Sequence, residues 1–110
     1  MIKACIVKDF SGDYLGFQIS GHADYSSYGR DVICAAVSAL AVNTVNSIEC
    51  LTDDSIKSAG GENSSGLIKC RFMKSCSLEA KLLMDSLVLG LTEIRNIYGD
   101  TYIKILFKEV

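Results

Sequence analysis

Two stretches near the N-terminus alternate apolar and polar residues with the period of two that is typical of β-strands. They cover residues 2–10 and 14–20, and the intervening Ser11-Gly12-Asp13 suits a tight reversal of the chain. This pattern predicts a β-hairpin. A second hairpin is predicted over residues 55–71, where two strand-like pieces flank a connector rich in glycine and serine.

Two other segments have a helical period. An alanine-rich run follows Asp31, whose side chain can cap a helix, and it predicts a mostly buried helix to about Glu49. A long amphipathic helix is predicted after Ser75, and Gly99 follows it where a left-handed cap fits. The apolar residues of this second helix fall at helical spacing: Leu83, Leu87, Leu91, Ile94 and Tyr98.

The last segment, residues 101–108, alternates again and completes a ββαββαβ order of elements. This order predicts an α+β fold in which a mixed, mostly antiparallel sheet packs with two helices. A length of 110 residues, of which 49% are hydrophobic, suits one domain spanning residues 1–110.

Charge and apolar run length bear on the partners that the chain can have. The 11 basic and 13 acidic residues are spread along the chain and give a net charge of -2. Because the sequence contains no basic stripe, we expect no direct binding of nucleic acid. The unbroken apolar runs are shorter than the roughly 18 residues of a membrane span, so we expect no membrane partner.

The cysteine and histidine counts restrict the metal and redox chemistry. Five cysteines, without a C-x-x-C pair and with one histidine, fit neither a disulfide framework nor a zinc site. We therefore expect no metal and no cofactor. The N-terminus does not have the pattern of a secretory signal, and the reduced cytoplasm is the expected location.

Cys34 and His22 are the candidates for chemistry. Cys34 is predicted to lie in the first turn of the helix after Asp31, where the helix dipole lowers the pKa of a thiol. His22 follows Gly21 at the end of a predicted strand, and an imidazole near the thiol would activate it as a nucleophile. The alternative is that Cys34 is a small buried apolar residue and His22 a structural one.

Several neighbouring residues have both a structural and a functional interpretation. Asp31 can cap the helix or orient His22, and Ser38, one turn beyond the cysteine, can contact the site or bond a main-chain carbonyl. Tyr25, Tyr28 and Gly29 belong to a predicted loop, residues 23–30, that could close over a substrate. The two tyrosines can stack on that substrate or simply anchor the loop. The remaining cysteines are expected to serve only in packing: Cys5, Cys50, Cys70 and Cys76.

Two blocks of the sequence carry a resemblance to a known family. They are Ser20-Gly21-His22-Ala23 and Tyr28-Gly29-Arg30-Asp31-Val32-Ile33-Cys34-Ala35-Ala36-Val37-Ser38-Ala39-Leu40. These blocks resemble the signature of the bacterial ribosomal-processing cysteine proteases, the Prp family, and the length and element order are also similar to that family. The resemblance implies that Cys34 and His22 are catalytic, with Asp31 and Ser38 near the site.

The resemblance also implies a substrate and an assembly. Members of the family remove the N-terminal extension of large-subunit ribosomal protein twenty-seven. The resemblance therefore implies this substrate and a homodimeric assembly for the chain. This chain departs from the family at Asp24, Ser26 and Ser27, where glycine and less polar residues are common. Two alternatives remain open, a non-catalytic ribosome-associated interaction module and a redox-sensing thiol protein.

Overall fold

The computed structural model describes residues 1–21, 28–60 and 67–110, and it describes the side chains of the first helix from Val32 onward. The order of elements is ββαββαβ, which confirms the predicted order. The elements are β1 Ile2–Lys8, β2 Tyr14–Ser20, α1 Tyr28–Leu51, β3 Ile56–Gly60, β4 Ile68–Phe72, α2 Leu78–Tyr98 and β5 Ile103–Glu109.

The strands form a five-stranded sheet in the order β3-β4-β2-β1-β5. β1 pairs antiparallel with β2, β2 with β4, and β3 with β4, which confirms both predicted hairpins. The tip of the second hairpin, residues 61–66, lies outside the described residues. β5 pairs parallel with β1, with Ile103 opposite Ile2. The sheet is therefore mixed and mostly antiparallel, as predicted.

Both helices cover one face of this sheet. Strand residues that alternate along β1 and β2, such as Ile6 and Phe17, are buried, and they join the buried stripes of the helices in one apolar cluster. The stripe of α1 consists of Ile33, Val37, Ala41, Val45 and Ile48. The stripe of α2 consists of Ala80, Met84, Leu87, Leu91 and Ile94. The opposite face of the sheet is not covered by any helix among the described residues.

α1 begins at Tyr28, three residues before the predicted N-cap, and ends at Leu51. The interpretation of Asp31 as the N-cap is therefore wrong, because its backbone lies inside the first turn. Apolar periodicity marks only the part of a helix that packs on a core, here from Ile33 onward, so the preceding turn gave no signal.

The apolar character of α1 is high enough to satisfy a simple test for membrane spans. Within the described ranges, Val32–Leu51 is the one segment long and apolar enough to cross a bilayer, and buried helices of soluble proteins meet the same criterion. In this chain one face of that segment, including Ile33 and Ile48, is packed in the core.

α2 has well-defined ends. The hydroxyl of Ser77 accepts a hydrogen bond from the Ala80 amide at 3.0 Å, and Asp54 accepts from both the amide and the hydroxyl of Ser77. At the other end the Gly99 amide donates to the Arg95 carbonyl. Gly99 has the expected positive φ of 97°, but its ψ of 161° differs from the predicted left-handed cap and lies in a region that is open essentially to glycine alone.

Candidate active site

Cys34 lies in the second turn of α1, half-buried against the apolar cluster. A helix leaves its first four amide groups without partners inside the helix, and in α1 these include the amides of residues 28–30. The predicted position of Cys34 in the first turn is therefore wrong. The thiol follows the unpaired amides by about one turn, so these donors are close to it along the helix axis.

Gly21 fixes the path of the chain immediately before His22. Its φ is +85°, and a Cβ at this position would collide with the carbonyl oxygen of Met1, which directly precedes β1. Because of the positive φ and the nearby carbonyl, any residue with a side chain would be strained at this position. His22, Tyr25 and residues 23–27 of the predicted loop lie outside the described residues, so the distance between imidazole and thiol stays a prediction.

Two other predicted site residues differ from expectation in their local structure. Tyr28 and Gly29 lie in the first turn of α1, so the prediction that they belong to a loop is wrong. Ser38 lies one turn after Cys34 and is exposed to solvent. Because residues four apart share a helix face, Ser38 and Cys34 border the same surface.

This surface continues along α1 into a groove that the sequence did not reveal. Val42, Val45 and Glu49 follow Ser38 at steps of three and four residues, so they share its helix face. They line one side of a groove of about 300 Å³, and residues 58–60 of the edge strand β3 line the other. At 1.5 Å per residue, Val42 is about 12 Å along the helix from Cys34. This groove exists only because α1 packs beside β3, and no local sequence pattern marks such a placement.

The other cysteines differ from one another in environment. Burial, followed by the charge of Glu49, raises the pKa of Cys70 to about 11. Burial, followed by the charges of Asp54 and Asp13, raises the pKa of Cys76 to about 11. Both thiols are therefore protonated near neutral pH.

Cys5 and Cys50 are more accessible than Cys70. Cys5 is half-buried in β1, whereas Cys50 is exposed in the last turn of α1. The prediction that Cys50 serves only in packing is wrong, because its side chain lies on the exposed face of the last turn, whereas Ile48 in the same turn is buried. In the described part of the chain, no group of three or more His, Cys, Asp or Glu side chains could hold a metal ion.

Comparisons with known proteins show which family this chain resembles. The family model described as cysteine protease Prp matches residues 1–104. The ribosomal processing cysteine protease Prp of Bacillus subtilis is 30% identical over 104 residues, which cover 91% of this chain and 92% of that protein.

Two solved structures have the same fold. One is an essential ribosomal processing protease Prp from Staphylococcus aureus in complex with a substrate peptide, with a TM-score of 0.88 and 27% identity. The other is that protease with a covalently linked product peptide, with a TM-score of 0.86 and 28% identity. Each match covers 98% of this chain and all of the other. This chain therefore belongs to the Prp family of cysteine proteases.

Proposed function

We propose that this protein is an endopeptidase that removes the N-terminal extension of large-subunit ribosomal protein twenty-seven during ribosome assembly. The observation that carries the proposal is the match of the whole fold to a protease seen with a covalently linked product peptide. A covalent enzyme–peptide adduct is the species that nucleophilic catalysis by a thiolate passes through. The position of Cys34 on α1, beside a groove, supports the same chemistry in this chain.

In this mechanism Cys34 is the nucleophile and His22 the general base. The Cys34 thiolate attacks the scissile carbonyl, His22 protonates the departing amine, and water then hydrolyses the thioester. Unpaired amides of the first turn of α1 are available as donors to the oxyanion that forms during attack. Gly21 holds the chain that leads into His22, and Asp31, about one turn before Cys34 on α1, orients the imidazole.

The substrate runs from Cys34 along the exposed face of α1. Ser38 and Val42 border this path, which then enters the groove beside β3. An extended peptide can pair its main chain with the free edge of a strand, and β3 is an edge strand of the described sheet. In this proposal Tyr25, Tyr28 and Gly29 contact the substrate.

The protein works in the cytoplasm as a homodimer. Three exposed leucines, Leu78, Leu82 and Leu89, share one face of α2 and support a buried contact with a second copy. Light scattering coupled to size-exclusion chromatography tests this assembly, because Leu82→Glu is expected to convert a dimer into a monomer. A monomeric mass for the unaltered protein would contradict it.

The catalytic assignment is tested with a peptide that spans the junction between the extension and the mature protein. Cys34→Ala is expected to abolish cleavage measured by mass spectrometry, and His22→Ala is expected to lower kcat/KM at least roughly 100-fold. Cys50→Ser is the matched control, because this exposed thiol lies on the same helix, and its variant is expected to cleave at the normal rate. Undiminished cleavage by Cys34→Ala would refute the assignment.

Alkylation gives a second, independent readout. In the Cys50→Ser background, iodoacetamide near neutral pH is expected to modify Cys34 first, because an activated thiolate reacts fastest. Cys70 and Cys76 are expected to stay unmodified in the folded protein, since their raised pKa values of about 11 keep them as thiols. Peptide mapping after a short exposure measures the order, and modification of Cys76 before Cys34 would contradict the proposal.

A further inference from the structure

The uncovered face of the sheet collects basic side chains from four of its five strands. Strand alternation and register place six of the 11 basic residues on this face, all of them exposed. They are Lys3 on β1, Lys57 on β3, Lys69 and Arg71 on β4, and Lys104 and Lys108 on β5. The one acidic residue within the described strands is Glu109, which alternates to the other face beside Lys8.

Charge is strongly segregated as a result. The whole chain has a net charge of -2, so setting aside these six positive charges leaves -8 on the remainder. The prediction that the chain has no basic stripe is therefore wrong, because basic residues that are far apart along the chain come together across the paired strands. A symmetric contact between two copies through this face would bring like charges together, which argues against a second copy as the occupant.

The arrangement of the charges is not what sheet stability alone favours. Lys57 lies directly opposite Arg71, and Lys3 lies directly opposite Lys104. Like charges in directly opposed positions destabilise a sheet. Lysines on edge strands protect a sheet against aggregation, and this protection accounts for the lysines on β3 and β5. It does not account for Lys3, Lys69 and Arg71, which lie on strands inside the sheet.

The face also has a groove of about 350 Å³ near its centre. Val7 and Leu15 contribute apolar lining, whereas Lys69 and Arg71 contribute cations. Val110 also lines the groove, and its amide donates to the Lys8 carbonyl at 3.0 Å. Cations on neighbouring strands are spaced by about 5 Å, and those two residues apart on one strand by about 7 Å.

We propose that this basic face binds double-stranded RNA through its phosphate backbone. Six exposed cations on a broad surface suit a regular array of phosphates. The outward positions of the described strands include no aromatic residue, so stacking of unpaired bases has no platform there, and duplex backbone contacts remain. The choice of RNA over DNA rests on the proposed function in ribosome assembly. The protease would then engage its substrate while anchored to ribosomal RNA.

The experiment measures binding of the full chain to a fluorescent 20-base-pair RNA duplex by anisotropy across a salt titration. Each lost phosphate contact reduces the magnitude of the negative slope of log K against log salt concentration by about 0.9. Lys69→Gln/Arg71→Gln is therefore expected to reduce this slope by about two and to weaken binding ~10-fold at low salt. Lys74→Gln/Lys81→Gln is the matched control, because it removes the same charge from exposed sites outside the strands and should leave both values unchanged.

Competitors distinguish the class of partner. A DNA duplex of the same sequence, polyglutamate and phosphatidylglycerol vesicles are each expected to bind more weakly than the RNA duplex. Equal effects of the two double variants, or tighter binding of any competitor, would overturn the proposal. Both double variants should cleave the isolated substrate peptide normally, because the face lies opposite α1. A chain that binds RNA but does not cleave would refute the proposed function and leave the RNA surface intact.

Discussion

Replacing Gly21 with alanine tests how the fold positions the chain before His22. Gly21 and Gly12 have nearly the same positive φ, +85° and +89°, but a Cβ on Gly12 would meet nothing within 4 Å, whereas one on Gly21 would collide with the Met1 carbonyl. The left-handed conformation costs an alanine about 1–2 kcal/mol at either position. At Gly21 the alanine would also displace Met1, which directly precedes β1. This displacement adds a cost similar to the loss of one hydrogen bond, about 1 kcal/mol.

We therefore expect Gly12→Ala to lower the free energy of unfolding by about 1–2 kcal/mol and Gly21→Ala by about 2–3 kcal/mol. Urea denaturation followed by circular dichroism measures both, and a domain of this size has enough stability to remain folded. Peptide cleavage separates the two further, because only Gly21 adjoins His22, and only its variant is expected to lose activity. Equal stability losses together with normal cleavage by Gly21→Ala would refute the reasoning.

Two further predictions concern the core and the start of α2. Leu91→Ala removes a fully buried side chain and is expected to cost about 2–5 kcal/mol in the free energy of unfolding, measured by urea denaturation, whereas Leu51→Ala at an exposed site outside the proposed dimer contact should cost far less. Burial alone would raise the pKa of Asp54, but hydrogen bonds from Ser77 and Thr52 outweigh it and lower the pKa below its usual 3.8. The stabilisation by Asp54 is therefore complete at pH values above the usual pKa and is lost as pH falls through the lowered pKa. Ser77→Ala should reduce this dependence of stability on acid pH, and the lost helix cap should cost about 1 kcal/mol in the free energy of unfolding.

The sequence predicted those parts of the fold that repeat a simple period. Both hairpins and the core stripe of α2, with Leu87 and Leu91, were identified because alternation and helical spacing directly reflect burial. The start of α1 was missed because its first turn precedes the packed region that begins at Ile33. Local patterns report which side chains pack, and they contain less information about where a backbone conformation begins.

The parts of the surface that depend on several elements could not be predicted in the same way. Lys57, Arg71 and Lys108 are far apart in sequence, yet the register carries them into one row across the sheet through Gly16 and Val7. The groove between α1 and β3 likewise requires two elements to be placed side by side. The cysteine and histidine were identified from their chemistry, but their geometry depends on the chain between Gly21 and α1.

The parallel pairing of β5 with β1 has a consequence for how this protein is made. Ile2 acquires its neighbour Ile103 only after nearly the whole chain has been synthesised, so the sheet closes through contacts of very large sequence separation. Until then β1 presents one open side to other nascent polypeptides. Translation of the last strand thus moves the open edge of the sheet from β1 to β5, whose lysines protect it, and a chain shortened before residue 103 would remain prone to aggregation and to degradation.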